Sequence, residues 1–441
     1  MIRLQTKMVP NPLFFLFISV CLSGGMCSEA QGTGKQTACG YITSMPSPSE
    51  LIVDGEHIDI TPETKFAPID ADSSQDQGPH RVEMHVGTYV EIQGYFEKAW
   101  AIHAQIIRLR DDRHAKLSGL GVIDKVIARG DEPVFQADGY RIRITKASHI
   151  TLPDDLNSLE SITPNLWLHY EGIRDADGVL VARTAHFLPA RIAKIKAIPN
   201  LDSVPVQLQP PGAAQPAMEA SRPGMVKVGW GHAHMLPADE ALQTRVQRIG
   251  NRMVPAYQKE FPPDHPAKID FRFYVMEDKR REDLKTLDGA VLVSTTLMNR
   301  LQNDDQLAAV LADGIARNLQ QQAARMVKNN RIVLASLAGE LVGQFVPGVG
   351  LIAPIAGIGP AQLEQTLLEQ RSRVALSLMA DAGYDPWQAP EAWRLLAPKK
   401  LPADTSTLKY PERSGYQLNI LGLQYRRLAM QVSAAPAQDE K

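Results

Sequence analysis

Three cysteines in 441 residues, and neither cysteine nor histidine anywhere after His265, set the first limits on this chain. A disulfide framework or a cysteine-rich metal knuckle is excluded by that count. So is any nitrogen- or sulfur-ligated metal site drawn from the C-terminal part alone. Positive charge is not in excess either: 47 Lys and Arg face 49 Asp and Glu, for a formal net charge of −2. That balance offers no electrostatic footprint for nucleic acid or an anionic membrane surface, so no nucleic-acid partner is expected. Aromatic residues make up 6% of the chain, and no strand pattern joins them to basic residues in the way that stacks bases. Long apolar runs are scarce. Residues 13–22 are too short to span a bilayer comfortably, and residues 332–359 are broken by Glu340, Gly343 and Pro347. There is no GxSxG, no CxxC and no GxGxxG opening a helix.

What remains is the composition of an ordinary multi-domain globular protein, 44% hydrophobic and 22% charged. Residues 1–30 read as a signal segment: Arg3 and Lys7 lead into the short apolar stretch, and Ser28 and Ala30 suit cleavage after Ala30. Val20 and Met26 precede Cys21 and Cys27, where a lipidation site needs a small residue, so periplasmic or secreted export is favoured over a lipid anchor. Cleavage there leaves Cys39 as a lone thiol.

An internal repeat follows, over 37–110 and 117–189. Asp54-Gly55 matches Asp138-Gly139, and Gly94 with Ala104 matches Gly172 with Ala182. Ile58 and Ile60, like Ile142 and Ile144, alternate with polar residues, the period of half-buried strands, while Asp-Gly pairs punctuate them as turns. Each copy is expected to be a small β-barrel or sandwich. The copies resemble a bacterial extracytoplasmic domain of unknown function with an OB-like pattern. A spacer or protein-contact role is the simpler expectation for them, a ligand-binding β-repeat module the alternative. Residues 190–235, rich in Pro, Ala and Gln, read as an extended linker. His232 and His234 near its end lack a visible third ligand.

From 236 to 430 the pattern turns mainly helical. An amphipathic helix carries Leu242, Val246, Ile249 and Met253, a strand covers 270–277, and a strand-to-helix stretch covers 286–301. A helix from Asp304 then carries Leu307, Leu311, Ile315 and Leu319 on one stripe. Residues 297–325, centred on DGIAR at 313–317, resemble the active-site helix of the zinc metallopeptidases related to CAAX prenyl proteases, HtpX and BepA. AGYDP at 382–386 resembles a second landmark of that family. The resemblance implies an α+β, mainly helical zincin-like domain with a small edge sheet. It also implies a zinc site at His-Glu-x-x-His plus a later Glu. Here those positions hold Asp313, Gly314 and Arg317, and the later Glu falls on Gln370. The family's late Thr-His-Pro aligns with Lys409-Tyr410-Pro411.

Gly314 has no side chain to act as base, and a guanidinium has no lone pair to donate. A positive charge about 5 Å from a divalent ion costs roughly 7 kcal/mol at an effective dielectric of ~20. The expectation is therefore a degenerate site without zinc or other cofactor, with Arg317 in the metal volume, paired to Asp313 and near Gln370 or Glu369. Extended polypeptide or an envelope protein is the expected partner, taken up by strand addition along Gly289, Ala290, Val291, Leu292 and Val293. Residues 332–359 read as a buried or surface-covering helical hairpin, with peripheral membrane contact the alternative, and a disordered tail at 431–441 completes the picture. The rival reading is an active metalloendopeptidase with an unconventional site.

Overall fold

The computed structural model describes residues 35–69, 84–97, 101–112, 115–189, 237–278, 284–322, 360–396 and 410–425, apart from isolated positions, with three short strands between 207 and 235. The expected signal segment, the stretch 332–359 and the expected tail at 431–441 lie outside these residues.

Each repeat closes into a five-stranded barrel. In the first, β1 (Lys35–Ser47), β2 (Glu50–Val53), β3 (Glu56–Asp59), β5 (Tyr89–Glu97) and β6 (Ala101–Leu109) form the ring, closed by parallel pairing of β3 with β6. The short β4 (Lys65–Pro68) extends that parallel seam along β6. In the second, β7 (Lys116–Ala128), β8 (Val134–Ala137), β9 (Tyr140–Thr151), β10 (Trp167–Arg174) and β11 (Leu180–Leu188) close in the same order. The continuous β9 does in the second copy what β3 and β4 share in the first. Alternation fills both barrels: Ile42, Leu51, Ile58, Ile92 and Ile107 in one, and Phe135, Ile142, Tyr170 and Phe187 in the other, are buried.

The matched glycines have matched work. A bulge falls between Gln93 and Gly94 in the first barrel and between Glu171 and Gly172 in the second. A Cβ there would stand 2.0 Å from the His103 carbonyl oxygen and 2.2 Å from that of Val181, so only glycine fits. Cys39 on β1 is disulfide-bonded in the full-length chain. The expected linker contributes β12 (Gln207–Leu208), β13 (Met225–Lys227) and β14 (His234–Met235), a small antiparallel sheet.

The rest is helical around a three-stranded sheet. Helix α1 (Glu240–Met253), capped by the Asp239 carboxylate, ends where Val254-Pro255 breaks it before α2 (Ala256–Glu260). Strands β15 (Arg272–Met276), β16 (Leu284–Leu287) and β17 (Ala290–Ser294) lead through the Ser294 cap into α3 (Thr295–Arg300). Asn303 caps α4 (Asp304–Leu319), whose residues from Gln306 to Ala316 are all buried, making it the central helix. Around it stand α5 (Pro360–Asp381), α6 (Gln388–Leu396) and α7 (Tyr410–Gln424). Among the described residues no helix is long and apolar enough to cross a membrane.

Candidate functional site

The DGIAR sequence sits on α4 in the middle of this core. Asp313 is 4% exposed. Its Oδ1 accepts a hydrogen bond from Nη2 of Arg413 on α7 and lies 3.3 Å from Nε of Arg371 on α5. The Arg413 guanidinium also stacks on the Trp393 ring of α6, 3.5 Å from its centroid. One carboxylate thus gathers the three later helices onto α4. The sequence assigned this pairing to Arg317; the cations on the Asp313 oxygen come from Arg413 and Arg371, and Arg317 is half-buried on the same helix.

Gly314 has a packing reason. A Cβ on it would approach Val291 Cγ1 to 2.8 Å and Thr286 Cγ2 to 3.0 Å. The helix therefore runs close under β16 and β17, where a glutamate would have to displace both strands.

Gln370, at the later-Glu position, faces away from Asp313. Its Nε2 donates to the Leu120 carbonyl at 2.8 Å and to Asp138 Oδ1 at 2.9 Å, both in the second barrel. Its Oε1 accepts from Gln322 at 3.3 Å. Glu369 also turns toward the barrels: Gln365 donates to it at 3.1 Å, and burial, offset in part by Arg373, holds its carboxyl above the usual range.

Gln370 belongs to a polar stripe along α5 with Arg373, Ser377 and Asp381, spaced three and four residues apart and so on one face. Arg373 grips both oxygens of Asp138, at 2.9 and 2.8 Å, and its Nη1 donates to the Tyr416 hydroxyl at 2.5 Å. Tyr170 donates to the same Asp138 at 2.6 Å. Gln136 donates to Ser377 at 2.6 Å and to Asp381 at 2.8 Å, and Lys125 stands 3.2 Å from Asp381.

Asp138 can reach this stripe because it heads an Asp-Gly turn at φ 55°, with Gly139 at φ 74° pressed on the Arg373 backbone. The equivalent turn of the first barrel meets α7: a Cβ on Gly415 would stand 2.4 Å from Tyr41 Cβ and 2.9 Å from Asp54 Oδ1. Asn419 of α7 adds hydrogen bonds to the Gly87 carbonyl at 2.9 Å and to Asp112 at 2.8 Å. Both repeats therefore dock through the same turn.

These residues do not fit a divalent metal. The Asp313 oxygen is engaged by two guanidiniums, the next position has no side chain, and the Gln370 amide is committed to another domain. Among the described residues no three His, Cys, Asp or Glu side chains are arranged to hold an ion.

The expected binding edge needs correction. The strand containing Ala290, Val291, Leu292 and Val293 is the centre of its sheet, parallel to β15 on one side and antiparallel to β16 on the other. All five residues of β17 are buried. Gly289 precedes it at φ 77°, against the Asp270 carbonyl. The outer strand beside α4 is β16. Sequence reading missed Asp138, Arg371, Arg373 and Arg413. The spacing of 370, 373, 377 and 381 was the available signal for α5; nothing local marks Arg413.

The family profile described as "Domain of unknown function (DUF5666)" matches residues 39–107, the first barrel. A protein of Vibrio cholerae serotype O1 named "Putative beta-barrel assembly-enhancing protease" is 25% identical over 169 residues, 36% of this chain and 34% of that protein. The "Beta-barrel assembly-enhancing protease" of Yersinia pestis is 24% identical over 169 residues, 36% of this chain and 33% of that protein. The chain thus covers about a third of the length of these relatives.

Proposed function

We propose that this chain is an exported envelope protein whose metallopeptidase-like domain binds polypeptide without cleaving it, in a role akin to assembly or regulation of other envelope proteins. The similarity to proteases named for β-barrel assembly supports the setting. The observation that carries the loss of hydrolysis is the contact of Arg413 and Arg371 with the Asp313 oxygen. A hydrolytic zinc needs three protein ligands and an open water position. Here the carboxylate that could supply one ligand is paired with two guanidiniums, and the general-base position is glycine.

Polypeptide binding needs backbone geometry and no metal. With β17 enclosed, the strand that can take an added chain beside α4 is β16. The test is to incubate the purified chain with unfolded casein, with and without added zinc. The expected result is a complex recovered by size-exclusion chromatography with the casein intact. Casein fragments that vanish with chelator and with Asp313→Asn would establish the active endopeptidase instead.

A further inference from the structure

Helices α5 and α7 each touch Asp313 with one face and a barrel with the other. On α5, Nε of Arg371 lies 3.3 Å from Asp313 Oδ1. Two residues on, about 160° around the helix, Nη2 of Arg373 donates to both carboxylate oxygens of Asp138 in the second barrel. On α7, Arg413 donates to the same Asp313 oxygen. Gly415, again two residues on, packs under Tyr41 and Asp54 of the first barrel. Asn419, one turn along that face, donates to the Gly87 carbonyl and to Asp112. Each helix is therefore a layer between α4 and one barrel. The hydrogen bond from Arg373 to the Tyr416 hydroxyl ties the two layers together.

These layers have no slack. A Cβ on Gly139 would stand 2.4 Å from the Arg373 backbone, and one on Gly415 would stand 2.4 Å from Tyr41 Cβ. The second barrel also reaches α4 itself, where the Val122 amide donates to Gln320 Oε1 at the helix C-cap, at 3.0 Å. Close-packed surfaces of this kind shift between discrete arrangements and do not deform continuously. A barrel that leaves its helix thus removes the support that sets the arginine on the opposite face. The Asp313 carboxylate does not follow, because α4 is seated under Val291 and Thr286 at Gly314.

We propose that the docked barrels are an autoinhibitory brace, which holds Arg371 and Arg413 on Asp313 and keeps α4 covered. Release of a barrel frees its helix and uncovers α4; on the binding reading above, on which this regulation rests, it also raises affinity for polypeptide. By linkage, polypeptide bound at α4 loosens the barrels by the same factor. Hydrogen exchange of the full chain, read by mass spectrometry, follows the α4 amides between 304 and 319. Asp138→Asn weakens the brace of the second barrel, and Asn419→Ala weakens that of the first with no buried charge removed. In both variants α4 is expected to exchange roughly ten-fold faster than in the unaltered chain, while α1 keeps its rate. Asp59→Asn, on the half-exposed side of β3, leaves both helices unchanged. Circular dichroism shows which variants fold; should Asp138→Asn unfold, Asn419→Ala decides alone. Unchanged α4 exchange in a folded variant overturns the brace, and so does a rise shared equally by α1, which marks a general loss of stability. Unfolded casein, added to the same proteins, is expected to bind the variants more tightly. Faster α4 exchange with no casein bound by any form supports the brace and overturns the binding reading, so the two failures are distinguishable.

Discussion

Removing the Asp313 carboxylate leaves two guanidiniums buried around a hole, because the Arg413 side chain is 3% exposed and that of Arg371 20%. Breaking a buried pair from one side costs about 3–5 kcal/mol. Asp313→Ala is therefore expected to lower unfolding stability by that order in a urea titration, with Arg413→Met in the same background restoring part of it. Gly314→Ala weighs two effects. Helix propensity favours alanine by about 1 kcal/mol, while forcing apart Val291 and Thr286 costs about 1–3 kcal/mol. Net destabilisation is expected by the same titration; a rise in midpoint would show that β16 and β17 yield. The proposed loss of the site was readable from residue types alone, since glycine and arginine cannot do the work of glutamate and histidine. It could not identify the cations on Asp313, because Arg371 and Arg413 reach it from distant helices whose approach only packing decides.

Helix α5 carries the lesson at the level of elements. A row of polar residues on a helix is usually its wet side, and Asp381 invites that reading. Here the row is the docking face, each member satisfied by the second barrel. The Asp-Gly turns and the alternating isoleucines, by contrast, were legible because turn chemistry and period-2 burial are local. Strand β17 was misread as an edge although its unbroken apolar run is the mark of a strand buried on both faces. Asp124 on β7 gives this interface a pH dependence. Both its oxygens are buried without a hydrogen-bond partner. Burial first, then the charges of Asp381 and Asp138, hold its carboxyl well above the usual range. A raised carboxyl is protonated in the fold, so its contribution is whole below the unfolded value and is lost as pH rises toward the folded one. Asp124→Asn is expected to be more stable than the unaltered chain at neutral to alkaline pH, with the gap closing in acid. Parallel stability–pH curves would refute it.

Among the described residues the two barrels are clasped by helices α5 and α7 of the C-terminal region, each barrel through its Asp-Gly turn. Buried bonds of this kind make the parts interdependent: Asp138 satisfies Arg373, and Arg373 ties in Tyr416 of α7. Calorimetry is accordingly expected to show one cooperative transition for barrels and helices together; a separate barrel transition would show that the docking contributes little. The clasp also bears on the proposed function, because Gln370, which the sequence reading set at the later-ligand position, is part of it. The most direct measurement is a crystal structure grown with excess zinc, with anomalous data collected at the zinc edge. The account predicts no peak within coordination distance of the Asp313 carboxylate, with Arg413 still in contact with it. An anomalous peak there, with Arg413 displaced, would contradict it.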